Sequence, residues 1–293
     1  MSVIREKRNM SLKRLVAITD GGAGDGETLA FAAALAAQHE GSVEVLPVYP
    51  DMAVDMVTLG LTLGSTLSQE AIDELARAQL ELQRRIEATA ARAAAAHDVV
   101  FGAGDGAPRM AVLERGLRPA LALTRILALC DLVVMGQAYA AGAGRDALAQ
   151  ILLDLRAPVL VGRGDPARLD GPAAIAWDGS PQAGRAVRAA LPLLAMASEI
   201  HILQCVSGLD RSTADPDVDR LNAYLKAHGV GEGVAVLVEG EEGPALVGAA
   251  RSRRSGLLVA GAYGHSRLRE TMFGGATRAF LKDADGPSLV LAH

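Results

Sequence analysis

Residues 257–277 read LLVAGAYGHSRLRETMFGGAT, and this stretch decides the fold. Its first four residues are a short apolar run closed by Gly261, which is typical of a buried strand in a parallel sheet. Gly261 and Gly264 are three residues apart, so the backbone there can approach a ligand closely. The final Gly-Gly-Ala-Thr precedes a helix-like segment and offers backbone N–H groups at a positive helix end, which suits phosphate. The alternative interpretation is that these glycines only make turns.

The same alternation of strands and helices continues in both directions from this stretch. The predicted strands are 15–19, 43–49, 98–101, 132–135 and 158–161 in the first half, and 173–176, 200–206, 234–238, 257–260 and 288–291 in the second. The predicted helices are 27–39, 68–97, 112–129, one starting near 146, 181–196, 217–228, 244–254 and 276–282. Each half therefore reads βαβαβαβαβ, which implies a parallel sheet covered by helices on both faces.

The two halves also match each other in sequence, which indicates an internal duplication. The matching pairs are 15–22 with 174–180, 132–136 with 257–261, and 157–161 with 286–290. We therefore predict two domains, 12–161 and 172–293, joined by a Gly- and Pro-rich linker at 162–172. The predicted fold class is α/β, with two tandem doubly wound parallel five-stranded sheets of Rossmann-like type. Ligands of such sheets bind beyond the carboxyl ends of the strands, at the edge where Asp20, Gly136, Asp178 and Gly261 are expected.

Composition narrows the range of partners. The chain has 293 residues, a net charge of −5 and only 3% aromatic residues. A weakly acidic chain with few aromatics is a poor binder of nucleic acid or of anionic membranes. No apolar run reaches the roughly 18 residues of a membrane-spanning helix, and the two cysteines form no metal-binding spacing. We therefore expect a cytoplasmic protein with reduced thiols and with neither nucleic-acid nor membrane partners.

Several motifs resemble known catalytic or binding loops without completing them. Residues 21–28, Gly-Gly-Ala-Gly-Asp-Gly-Glu-Thr, follow a strand as a P-loop does, but Glu27 replaces the lysine that neutralises phosphate. A near copy, Gly-Ala-Gly-Asp-Gly, recurs at 102–106, and we predict that both are strand-to-helix turns. The chain has no GxSxG elbow, and its six histidines form no HExxH motif. We therefore predict neither a catalytic residue nor a metal site.

The glycine loop resembles the signature of the universal stress protein family, G-x2-G-x9-G-[S/T]. Gly261, Gly264 and Gly274 fit all three glycine positions. The Asp-Gly-Ser at 178–180 and Pro287 before the last strand match as well, and the likeness covers both halves. The chain is thus similar to a tandem universal stress protein with the adenine nucleotide alpha hydrolase-like fold. This resemblance implies an intramolecular pseudo-dimer in which the last strands of the two halves meet, and it allows a homodimer of chains.

The resemblance also implies an adenine-nucleotide site in the C-terminal half. In ATP-binding members of the family, the Asp after the first strand contacts the nucleoside, and the glycine loop and a following hydroxyl hold the phosphates. The implied ligand is ATP or AMP, with Mg²⁺ accompanying ATP. The expected contact residues are Asp178, Cys205, Gly261, Gly264, His265, Gly274, Gly275, Ala276 and Thr277.

The sequence departs from the family pattern at several positions. Gly275 stands where the signature has Ser or Thr, and Thr277 could supply the missing hydroxyl. Cys205 falls about where the family often has a Val under the adenine. The first half keeps Asp20, but after Gly136 the spacing of the glycines is lost. We therefore expect at most one nucleotide per chain, in the C-terminal half.

Three functions stay open at this point. The first is a stress-response protein that binds ATP or AMP and hydrolyses ATP slowly at most, since no catalytic base is evident. The second is a protein that binds no nucleotide and acts through protein partners, as Gly275 and the altered first half would suggest. The third is an ATP-pyrophosphatase or adenylating enzyme, which would be expected to carry an SGGxDS-type loop that neither 19–22 nor 177–180 supplies.

Overall fold

The computed structural model describes residues 11–48, 69–113, 119–209, 214–262 and 274–293. Within these residues, eleven strands form a single sheet. The strands are β1 (Arg14–Thr19), β2 (Ser42–Pro47), β3 (Val100–Phe101), β4 (Arg109–Val112), β5 (Leu132–Gly136), β6 (Val159–Gly162), β7 (Ala173–Ala176), β8 (Ile200–Cys205), β9 (Val234–Val238), β10 (Leu257–Gly261) and β11 (Ser288–Ala292).

Helices cover both faces of this sheet, as the pattern of apolar runs predicts. They are α1 (Asp25–His39), α2 (Gln69–Ala96), α3 (Pro119–Ile126), α4 (Gln137–Ala141), α5 (Arg145–Ala149), α6 (Pro181–Leu194), α7 (Val218–Ala227), α8 (Glu242–Ser252) and α9 (Gly275–Lys282). Buried side chains of α1, α2, α6 and α7 form the core on one face. Those of α3, α4, α5, α8 and α9 form the core on the other. None of the helices in the described residues is long and apolar enough to cross a bilayer.

The strand order places the carboxyl ends of particular strands side by side. It runs β3-β4-β2-β1-β5-β6-β11-β10-β7-β8-β9, and every neighbouring pair is parallel except β6 with β11. In each half the chain starts in the middle of its sheet, at β1 or β7, and later returns to the other side of that strand, as β5 or β10. These are the points where the strand order switches and where open α/β sheets bind their ligands.

The two halves meet through their last strands. Val161 lies opposite Leu289, Leu160 opposite Val290, and Val159 opposite Leu291 in an antiparallel pair. The family resemblance implies such a meeting of the two last strands. This pairing also joins the two predicted sheets into one, because each last strand is apolar and would otherwise expose an unpaired edge.

The N-terminal half differs from the prediction on the far side of β2. The strand predicted at 98–101 is only the two-residue edge strand β3, and β4, which was not predicted, pairs with β2 instead. The guanidinium of Arg109 donates to the carbonyls of Gly102 (2.9 Å) and Asp105 (2.9 Å), so the 102–106 loop wraps around this side chain. The loop therefore connects two strands, and the prediction that it leads into a helix is wrong.

Two helical regions add detail to the prediction. Of the helix predicted at 112–129, Val112 belongs to β4, residues 119–129 form α3 and a short 3-10 turn, and residues 114–118 lie outside the described residues. The helix predicted from about residue 146 is α5, and the separate short helix α4, which was not predicted, precedes it. The start predicted for the long helix, at Ser68, lies outside the described residues, which resume at Gln69.

Candidate functional site

A cavity of about 300 Å³ opens at the carboxyl ends of β7, β8 and β10 in the C-terminal half. Ala176, Leu203, Cys205 and Ala260, in the last residues of these strands, contribute apolar surface to its wall. The first turns of α6, α8 and α9 close its other sides. The cavity therefore lies at the switch in strand order, where the sequence predicts a ligand site.

Asp178 occupies a tight turn between β7 and α6. The N–H of Trp177 donates to the Leu203 carbonyl at 2.9 Å, which keeps the chain paired with β8 up to that residue. Asp178 Oδ1 then accepts the N–H of Ser180 at 2.9 Å. The Ser180 hydroxyl in turn accepts the N–H of Ala183 at 3.2 Å and caps α6. These bonds hold Asp178 at the edge of the sheet, where it lines the cavity.

Gly261 is required by the packing of the strand against the helix. A Cβ at this position would lie 2.7 Å from the nitrogen of Ala183, at the start of α6. The equivalent Gly136 of the N-terminal half also lies close to a helix start, because a Cβ there would lie 2.6 Å from the side-chain Oγ1 of Thr28 on α1. The first glycine of the signature therefore serves the close approach of a strand end to a helix start in both halves, whether or not a ligand binds.

Gly274 and Gly275, unlike Gly261, are not required by packing against the described residues. Gly274 caps α9 with φ −60° and ψ 159°, an extended conformation that any residue adopts, and no side chain of the described residues caps the helix. A Cβ on either glycine would meet no described atom within 4 Å. Both residues line the cavity together with Ala276 and Thr277, and Thr277 is only 2% exposed. The described part of the protein thus gives no packing reason for glycine at these two positions, and it leaves the space next to both Cα atoms open.

Cys205 ends β8 at the apolar wall and is 4% exposed. Its Sγ donates to the Gly240 carbonyl at 3.7 Å and lies 3.3 Å from Ser207 Oγ. Both cysteines are free thiols. Burial raises the pKa of the other one, Cys130, to about 12, so that thiol stays protonated at neutral pH.

The structure thus brings most of the predicted contact residues together. Seven of them line this one cavity: Asp178, Cys205, Gly261, Gly274, Gly275, Ala276 and Thr277. Gly264 and His265 lie outside the described residues. The cavity also includes Trp177, Gln182 and Glu242, which were not predicted from the sequence. Trp177 could have been found from its place directly before Asp178, whereas Glu242 has no local signal. Within the described ranges, no group of three or more His, Cys, Asp or Glu side chains could hold a metal ion.

Comparison with known proteins identifies the C-terminal half. Residues 173–292 match the family described as "Universal stress protein family". These residues form a universal stress protein domain. The matched segment runs from the first residue of β7 to the last of β11, so it contains the whole cavity and every strand of that half.

Solved structures extend the likeness of fold to the whole chain. A universal stress protein from Archaeoglobus fulgidus DSM 4304 superposes with a TM-score of 0.68 at 15% identity, covering 96% of both chains. A functionally unknown protein from Pseudomonas aeruginosa PAO1 superposes with a TM-score of 0.52 at 11% identity, covering 96% of this chain and 92% of that one. At these identities the likeness concerns the fold alone. No curated protein matches the chain in sequence.

The corresponding edge of the N-terminal half is built differently from the universal stress protein domain. Asp20 Oδ1 accepts the N–H of Gly22, two residues later, at 2.8 Å. In the other half, Asp178 accepts the N–H of Ser180 in the same way. After β5, however, the chain folds directly into α4 and α5. Burial and the nearby carboxylates of Asp20 and Asp25 raise the pKa of Tyr139 on α4 to about 12. The N-terminal half thus places an aromatic side chain of its own near the carboxylate that corresponds to Asp178.

The segment that resembles a P-loop is held by its own carboxylates. The buried side chain of Asp25 accepts the N–H groups of Asp20 (3.2 Å) and Gly21 (2.9 Å), and burial raises its pKa to about 6. Glu27, which replaces the P-loop lysine, accepts the N–H of Gly164 in the linker. Both carboxylates therefore bind backbone N–H groups of the protein, and the segment acts as a structural turn.

The N-terminal half also holds the C-terminal end of α9. Arg163 follows β6, is 4% exposed, and donates to the carbonyls of Pro287 (2.5 Å) and Phe280 (2.6 Å) and to Gln137 Oε1 (2.9 Å). The Gln137 amide in turn donates to the Leu281 carbonyl. Burial lowers the pKa of Arg163 to about 10, so the guanidinium still carries its charge at neutral pH. Because the other end of α9 lines the cavity, the N-terminal half helps to position one wall of the site.

Proposed function

We propose that the universal stress protein domain binds one adenine nucleotide, ATP or AMP, between Asp178 and the start of α9, as part of a role in stress response. The observation that carries the proposal is the Gly274–Gly275 pair, which begins a helix without a side-chain cap and has no described atom within 4 Å of either Cβ position. Backbone N–H groups in the first turn of a helix, together with the positive end of its dipole, stabilise a bound phosphate.

The remaining walls suit the nucleoside part of such a ligand. Leu203, Cys205 and Ala260 provide an apolar surface for the face of the adenine ring. The carboxylates of Asp178 and Glu242 line the same cavity and are hydrogen-bond acceptors for ribose hydroxyls or for the adenine amino group. Mg²⁺ would enter with ATP, bound mainly through the phosphates.

A titration of the wild-type chain tests this proposal. We expect calorimetry with ATP or AMP to give one site per chain, and mass spectrometry to detect a nucleotide released from freshly purified protein. Two equivalent sites per chain would contradict the assignment to the C-terminal half. The absence of any binding would favour the second candidate function, action through protein partners without nucleotide. This second candidate function is supported by Gly275, which stands where the family signature has Ser or Thr.

Thr277 is expected to supply the hydroxyl that Gly275 lacks. Replacing Thr277 by Ala should weaken ATP binding about 5–30-fold, or roughly 1–2 kcal/mol, through loss of one hydrogen bond to a phosphate. Thr277→Ser keeps the hydroxyl and should bind ATP as the wild type does. Adenosine has no phosphate, so its affinity should be the same for all three proteins. If calorimetry gives equal ATP affinities for Thr277→Ala and wild type, the backbone N–H groups alone hold the phosphates.

A further inference from the structure

We propose that a second cavity of the C-terminal half binds a small organic anion with a flat apolar body, namely an aromatic carboxylate. This cavity has a volume of about 360 Å³ and lies between α6 and α7. Its volume falls in the range of small-molecule sites, about 300–1,000 Å³. Trp177 and Ser180 line both this cavity and the first one, so the two sites share the turn that follows β7.

The walls of the second cavity suit a flat apolar group. Val187 and Leu221 are buried and contribute aliphatic surface, while Trp177 and Tyr224 are half-buried aromatic side chains that can stack on a ring. Gly184 leaves the surface of α6 open between them. A Cβ on Gly184 would meet only Nη1 of Arg188, at 3.6 Å.

The arginine side chains around this cavity favour the binding of an anion. Its lining contains three arginines and one carboxylate, although the whole chain carries a net charge of −5. Arg220 is paired with Asp215, with 2.7 Å between Nη1 and Oδ2. Arg185 and Arg188, one helical turn apart on α6, make no hydrogen bond or ion pair with any residue that the structure describes. Two available guanidinium groups beside an aromatic wall match a carboxylate attached to a ring.

Trp177 offers a direct signal for binding, since it is the only tryptophan of the chain and lines the cavity. We expect benzoate to change its fluorescence in a saturable way. Benzamide has the same ring without the charge, and it should bind at least about tenfold more weakly. Inorganic phosphate, which lacks the ring, should not displace benzoate at comparable concentrations.

Two variants test the site without disturbing the fold. Gly184→Leu fills the cavity from a half-buried helix position where leucine is also the better helix former, and we expect it to abolish the benzoate response. Its matched control is Gly248→Leu on α8, where a Cβ meets no described atom within 4 Å. The double variant Arg185→Gln with Arg188→Gln should weaken benzoate about tenfold. The corresponding pair Arg84→Gln with Arg85→Gln on α2 removes the same charge elsewhere and should have no effect.

Four results would overturn the proposal: a wild-type chain that does not respond to benzoate, a response that persists in Gly184→Leu, equal affinities for benzoate and benzamide, or phosphate that competes as strongly as benzoate. The test is independent of the nucleotide site. Gly184→Leu should still bind ATP wherever the wild type does, because Gly184 does not line the first cavity.

Discussion

Replacing Gly274 by Val is expected to lower the affinity for ATP on the order of a hundredfold. The branched side chain would project from the N-cap of α9 into the open space where we place the phosphates, and would keep them from the backbone N–H groups. The fold should tolerate the change, because the backbone conformation suits any residue and the new Cβ meets no described atom within 4 Å. The cost to stability should stay within about 1 kcal/mol, since valine is a poor N-cap.

Calorimetric titration with ATP measures this effect, and thermal unfolding verifies that the variant is folded. Gly231→Val is the matched control, because this glycine lies outside the helices and strands and its Cβ would also meet no described atom. The control should bind ATP like the wild type. A Gly274→Val protein that binds ATP with wild-type affinity would show that the phosphates do not lie against the start of α9.

Replacing Arg163 by Met should lower the free energy of unfolding by about 3–5 kcal/mol. Methionine has a similar length and fills the space, but it leaves the buried carbonyls of Phe280 and Pro287 and the Gln137 side chain without their donor. A buried acceptor that loses its partner costs roughly 1–3 kcal/mol. The loss should exceed that of an ordinary surface substitution because it loosens the junction of the two halves and the end of α9 at the same place.

Urea denaturation of the two proteins measures the difference. Arg84→Met on the exposed face of α2 is the control, and its effect should remain within about 0.5 kcal/mol of the wild type. Arg163→Lys keeps a charge but lacks the planar fork of donors, so its stability should fall between those of wild type and Arg163→Met. A loss below about 1 kcal/mol in Arg163→Met would mean that water or neighbouring groups replace the guanidinium at these carbonyls.

The sequence predicts only part of the candidate site. The glycine signature and the Asp-Gly-Ser turn placed Asp178, Gly261 and Gly274 on one edge, and the structure brings them to one cavity. Gly261 nevertheless has a packing role that spacing could not show, because its constraint comes from the nitrogen of Ala183 on another element. Glu242 joins the site from α8 for the same reason: its place in the cavity depends on how the helices pack over the sheet.

Strand β4, near one edge of the sheet, is a second feature that the sequence alone did not predict. Inner strands such as β5 and β10 are continuous apolar runs because both of their faces are covered, so the sequence alone predicts them. The segment Arg-Met-Ala-Val of β4 has no such signature. It becomes a strand because it pairs with the free edge of β2 and because the Arg109 side chain donates hydrogen bonds to the carbonyls of the preceding loop.

By itself, the sequence determined the duplicated order of strands and helices, the family of the C-terminal half and the edge of the sheet that carries the glycines. These features follow from periodic burial and tight turns, which are properties of neighbouring residues. Only the tertiary structure decided that β4 pairs with β2, that Arg163 holds the end of α9, and that Arg185 and Arg188 border a second cavity. Arg163 and Phe280 are 117 residues apart, and no local pattern can record a contact that exists only after both halves have folded and met.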